Sequence, residues 1–92
     1  MSTWTAADIA DAERRYMTGL ALTPRQVAHI LNLTHQRGNH RGEPDRLRAL
    51  DLIATGRLHP VDPTQPTHRL TVSAAEIRRH LTPTTITHGD AA

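Results

Sequence analysis

Eleven side chains of this 92-residue sequence carry a fixed positive charge, and every one of them is arginine. A guanidinium offers a planar fork of donors that grips a phosphate or the edge of a guanine through two hydrogen bonds, which the point charge of lysine cannot do. The candidates for such contacts are Arg37 and Arg41 in a polar run, Arg46 and Arg48 at the head of a helix-like segment, and Arg69 ahead of a β-type run. Gln65, Thr67 and His68 precede Arg69 and add polar groups to the same stretch, while Arg25 stands in the first turn of an earlier helix-like segment, where a phosphate would be met. The charge is unevenly spread: residues 1–24 sum to −1, whereas residues 25–80 hold nine arginines against five acidic residues. A GC-rich coding bias, visible also in Ala, Pro and Thr, accounts for much of the missing lysine, so placement says more than residue type.

Other chemistries find little to work with. Ser2 and Ser73 are the only serines, cysteine is absent, and the acidic residues do not cluster. No glycine-rich phosphate loop occurs, and so short a chain rarely encloses a substrate pocket. The expectation is a protein without catalytic activity, cofactor or small-molecule substrate. The seven histidines (29, 35, 40, 59, 68, 80 and 88) include no pair spaced three or four residues apart, the spacing that sets two metal ligands on one helical face. No metal is expected. The opening residues lack the pattern of a secretion signal and no apolar stretch is long enough for a membrane span, so a cytoplasmic protein is expected.

The elements that must position the arginines follow from periodicity and capping. Phe is absent and Trp4 and Tyr16 are the only aromatics, so the core must be aliphatic. Residues 5–18 show a loose helical stripe (Ala6, Ile9, Ala10, Ala12, Tyr16, Met17) that Gly19 ends. Thr23-Pro24-Arg25-Gln26 combines an N-cap, proline at the first helical position and a capping-box glutamine. Val27, Ile30 and Leu31 form the inward face of that short helix, and Asn32-Leu33-Thr34 make a turn. Residues 35–43, with two glycines and no apolar period, predict an exposed loop. Pro44 then opens a helix over 45–55 whose inward face is Leu47, Leu50, Ile53 and Ala54, with Gly56 as its stop.

Beyond Gly56, 58–61 and 69–72 predict two strands of a hairpin, with Pro63 and Pro66 in the connecting loop because proline cannot donate to a ladder. Ser73-Ala74-Ala75-Glu76 is a second capping box, opening a helix through Leu81. The order of helix, helix, turn, helix, two-stranded wing and helix predicts a mostly α fold with a small two-stranded sheet, a winged helix-turn-helix over 23–82. The extra helix in 1–22 would pack on or beside it, and 83–92 would be a flexible tail.

The sequence LTPRQVAHILNLT, then LIATGRLHPV, then RLTVSAAEIRRHL, resembles the MerR-like winged-helix fold of phage and plasmid excisionases, and its Arg- and Ala-rich usage resembles excisionases of actinobacterial phages. That resemblance covers about two thirds of the chain. It implies a recombination directionality factor: a non-catalytic protein that binds repeated sites beside a phage attachment site and bends double-stranded DNA. In company with further copies of itself, it would direct an integrase toward excision. Two features depart from the pattern, the N-terminal helix and roughly ten inserted residues around HQRGNHRGEP, so the recognition helix could begin near His35 or at Pro44. A transcriptional regulator on the same fold, or an interaction module such as an anti-repressor, would share these elements. A palindromic site would distinguish the first and salt-independent binding the second.

Overall fold

Each helix begins where a side-chain oxygen is available to cap it. The computed structural model describes residues 4–82, in which α1 (Ala6–Thr18), β1 (Ala21–Leu22), α2 (Pro24–Ile30), α3 (Arg46–Ala54), a 3-10 turn (Thr67–Arg69), β2 (Val72–Ser73) and α4 (Ala74–Leu81) follow one another. Thr5 and Thr23 make full capping boxes with Asp8 and Gln26, and Asp45 accepts the Leu47 N–H at 3.2 Å. Ser73 accepts the Glu76 N–H at 3.1 Å, but its box is only half made, because the Glu76 carboxylate is used elsewhere. The predicted tail at 83–92, with His88, and Ser2 near the start lie outside the described residues.

The chain forms a mostly helical domain with one two-stranded antiparallel sheet, but the strands are not the pair predicted. β1 pairs with β2, Ala21 opposite Ser73 and Leu22 opposite Val72, and the side chains of Leu22 and Val72 are both fully buried. The predicted hairpin between 58–61 and 69–72 is reduced to one backbone bond, from Val61 N–H to Thr71 C=O at 2.8 Å. The reason is a shortage of donors. The His59 N–H is taken by the Glu76 carboxylate at 2.9 Å, and Pro60 has no N–H. On the other side, the Arg69 and Leu70 amides close the 3-10 turn on Pro66 and Thr67. Too few amides remain for a ladder.

The core is aliphatic: Leu22, Val27, Ala28, Ala49, Leu58, Val72, Ala74 and Ile77 are fully buried together. α1 belongs to this body. Its Ala12 is fully buried and Tyr16 packs on the cluster; Gln26 of α2 donates to Asp11 at 3.0 Å, and Arg78 of α4 donates to the Tyr16 carbonyl at 2.7 Å. Met17, which the sequence pattern placed on the inward stripe, is 78% exposed.

α3 packs chiefly on α2, through Ala49, Leu52 and Ile53. Leu47 was expected on that inward face and is instead 64% exposed. At 100° per residue, a face centred on Ala49 turns Leu47 almost directly away from the core. The connection between the two helices is closed at its neck. Asn32 takes a left-handed φ of 59° that ends α2, a conformation asparagine tolerates better than most residues. Thr34 then bridges Pro44, the His35 and Gly42 amides bond across the neck at 2.9 Å, and the Asp45 amide reaches the Leu33 carbonyl at 2.8 Å. Helix α3 therefore starts at Arg46, after the insertion rather than within it.

Candidate nucleic-acid interface

The arginines divide cleanly by what they touch. Arg14 and Arg15 both pair with Asp11. Arg25 bonds Glu43 at 3.2 Å and lies over the Trp4 ring, 4.9 Å from its centroid. Arg78 stacks on Tyr16 at 4.6 Å, and Arg79 grips Glu76 at 2.6 Å while donating to the Arg57 carbonyl. By contrast, the exposed side chains of Arg37, Arg41, Arg46, Arg48, Arg57 and Arg69 make no hydrogen bond or ion pair among the described residues. All six unpaired guanidinium groups fall between residues 37 and 69.

Two of the predicted groups stand on consecutive elements. Arg37 and Arg41 occupy the tip of the loop whose neck is closed beside Asp45, the N-cap of α3, and Arg46 and Arg48 stand exposed on the first turn of α3. Beside the loop neck and the start of α3 lies an open cleft of about 300 Å³, lined by Arg25, His35, His40, Glu43 and Arg46 among others. The His35 and His40 rings sit 5.9 Å apart, each with a carboxylate nearby: Asp45 at 3.8 Å from His35, and Glu43 at 3.5 Å from His40. Among the described residues, no three His, Asp or Glu side chains converge as metal ligands would. No helix among them is long and apolar enough to cross a membrane.

The third group stands apart. Gln65 is held by the Asp62 carboxylate at 3.3 Å, and Thr67, His68 and Arg69 form the exposed 3-10 turn. Among the described residues, no hydrogen bond or ion pair ties this stretch to α3 or to the 35–43 loop. Its root, however, is anchored. The Glu76 side chain, 14% accessible, receives Arg79, the His59 N–H and the His59 ring, and Arg79 bonds back to the Arg57 carbonyl. Chiefly the Arg79 guanidinium, assisted by His59, holds the Glu76 carboxyl down to about 2 from the ordinary 4.5. Thr64 likewise lowers Asp62, whose carboxylate receives both the Thr64 hydroxyl and its amide, fixing the turn before Gln65.

Sequence reasoning missed three residues of this surface. Leu47 was assigned to the core, and Arg57 and Asp51, the latter exposed one turn beyond Leu47, were passed over. The signal for the first lay in the sequence: Ala49, Leu52 and Ile53 make as good a helical stripe as the residues chosen, and only packing against α2 selects between them.

Comparison with protein-family models, curated proteins and solved structures finds no match to this chain.

Proposed function

We propose that this chain is a non-catalytic protein that binds double-stranded DNA. Helix α3 enters the major groove, and the 35–43 loop and the 65–69 turn lie on the flanking backbone. The observation that carries this reading is the confinement of every unpaired arginine to the segment 37–69, on exposed elements whose roots are closed by hydrogen bonds. A folded chain gains from pairing its charges. Six guanidinium groups left open in one stretch, while five others are engaged elsewhere, suit a polyanion that releases counterions as it is neutralised. The short capped α2, joined by the 31–45 connection to α3, supports a helix-turn-helix reading in which α3 is the recognition helix with Arg46 and Arg48 at its leading end. Arg37 and Arg41, and Arg69 with Thr67, His68 and Gln65, would hold phosphate or the minor groove on either side.

The finer reading rests on the resemblance to MerR-like excisionases: several copies bound head to tail on repeats beside an attachment site, bending the DNA and working with an integrase. One recognition helix and one short turn cover little duplex, so a single copy binds weakly and neighbours reinforce one another. Gel-shift titrations on duplexes carrying one and several copies of a selected site test this. Binding that weakens steeply with salt, and a ladder of complexes that tightens with site number, is expected. A flat salt response rejects DNA as the partner, and equal affinity per site rejects the cooperative form.

A further inference from the structure

On the outward face of α3, Leu47 is 64% exposed and Asp51 stands one turn further on, also exposed. Arg48 lies between them, three residues ahead of Asp51, a spacing at which helical ion pairs readily form. No such pair is made, and the Asp51 carboxylate has no hydrogen-bond partner among the described residues. Leu33, Leu47, Arg48, Asp51 and Leu52 surround an open depression of about 280 Å³. A free carboxylate on the leading face of an arginine-rich surface lowers affinity for DNA of any sequence, and it is not there to hold Arg48. An exposed leucine at the same spot adds nothing to the core.

We infer that Leu47 and Asp51 are specificity-determining residues: Leu47 reads the 5-methyl group of a thymine and Asp51 accepts a hydrogen bond from the exocyclic amine of a cytosine. The inference rests on the DNA-binding reading. The chemistry follows from the major-groove code, in which the thymine methyl is the one apolar feature and the cytosine amine is a donor that carboxylates accept. The two residues are about 6 Å apart along the helix axis, close to two base steps, so the thymine and cytosine contacts fall at neighbouring or next-neighbouring positions of one half-site. Phosphate contacts by the surrounding arginines set the register in which these two side chains meet base edges. The charge of Asp51 then acts as a filter. Where the cytosine amine is present the carboxylate is satisfied, and elsewhere it is desolvated or repelled.

The test begins with the full chain and a pool of random-sequence duplexes, from which bound sites are selected. In the selected site each thymine is replaced in turn by deoxyuridine, which removes only the methyl group. One replacement should weaken the wild-type protein about fourfold, the value of one buried methyl, and should have no effect on Leu47→Ala. Asp51→Ala should bind random duplex as tightly as wild type or more tightly, while its preference for the selected site falls about 5- to 100-fold at one C·G position. A residue with a merely structural role would not raise non-specific affinity while lowering specificity. Selected duplex that binds well but is indifferent to every deoxyuridine, or an Asp51→Ala protein that keeps full preference, overturns this inference and leaves the DNA-binding reading standing. A wild-type dimer that dissociates in Leu47→Ala assigns the face to a second copy and also overturns it. No binding to any duplex at low salt overturns both.

Discussion

Arg78 and Arg79, at the end of α4, are fully committed: one caps the carbonyl end of α1 and stacks on Tyr16, the other locks Glu76 to the root of the 57–72 segment. The side chains of Arg46 and Arg48, at the start of α3, bond no acceptor among the described residues. The residue type is the same and the exposure similar, so the difference lies in the acceptors each surface offers. Around α1, β1, α2 and α4, arginine ties together the elements that surround a small aliphatic core. Along 37–69 it is kept open by its surroundings: Asp45 is turned to its helix cap and Asp62 to its own turn, so neither carboxylate neutralises a neighbouring guanidinium. One half of the molecule uses its charges internally, and the other leaves them open to solvent.

The strongest way to break that contrast is to remove the open charges together. A chain carrying Arg37→Ala, Arg41→Ala, Arg46→Ala and Arg48→Ala should lose at least about a hundredfold in DNA affinity at moderate salt, and its log–log salt slope should shrink by about 3 to 4. Its thermal midpoint should stay within a degree or two of wild type, because surface side chains without partners contribute little to folding. Fluorescence-anisotropy titrations over a salt series, with a melt on each protein, make the check. A large drop in the midpoint would mean that these side chains do structural work as well.

The complementary change strikes the clamped half. Glu76→Gln keeps a neutral oxygen for the His59 amide but gives up the charge that Arg79 and His59 face, and should cost about 1 kcal/mol of stability. Its effect on affinity should stay under about threefold. The pH dependence has a definite sign. The folded Glu76 carboxyl sits near 2 against an ordinary 4.5, so the folded state favours the ionised form. The stabilisation is complete above about pH 4.5 and is lost as the pH falls toward 2. Asp8, lowered by the Thr5 amide, and Asp11, lowered by Arg14, act in the same direction from exposed positions. Denaturant melts between pH 5 and 2 should therefore show a shallower decline in Glu76→Gln than in wild type. Parallel curves would place the clamp elsewhere.

What was legible beforehand tracks how local each determinant is. The caps at Thr23 and Ser73, the stop at Gly56 and the exposed loop at 35–43 depend on residues a few positions apart, and all are present. The sheet depends on Leu22 meeting Val72 across the whole domain, and no local pattern announces that two residues following α1 will be a strand. The predicted hairpin failed for a reason half visible in the sequence. Pro60 removes one donor, but the loss of the His59 amide to Glu76 depends on how α4 docks. On α3 the helix was legible and its rotation was not, since Leu47 and Ala49 offer competing inward faces and burial against α2 decides. Five of the six unpaired arginines were among the sequence candidates and Arg57 was not, while the candidate Arg25 is paired; pairing status, which separates the two halves, exists only in three dimensions.

Arg25 sits on the border and gives the finest test. Its position in the first turn of α2 suits a phosphate contact, as the sequence suggests, yet its guanidinium lies over Trp4 and bonds Glu43, whose backbone carbonyl accepts the His35 amide at the loop neck. At 34% exposure one edge still faces solvent. A guanidinium already spread across an aromatic face and a carboxylate can give a phosphate only part of its fork, and moving it away would free Glu43 to repel the same phosphate. Arg25→Gln should therefore lower the salt slope by less than half a unit, against about one for Arg48→Ala. It should also cost less than about 1 kcal/mol of stability, the range for a partly exposed ion pair. Glu43→Gln serves as the control: if Arg25 is mainly a brace, removing Glu43 costs similar stability but strengthens DNA binding slightly, by releasing the guanidinium and removing a negative charge. A slope change near one for Arg25→Gln, with stability untouched, would move the border between the two halves to the far side of α2.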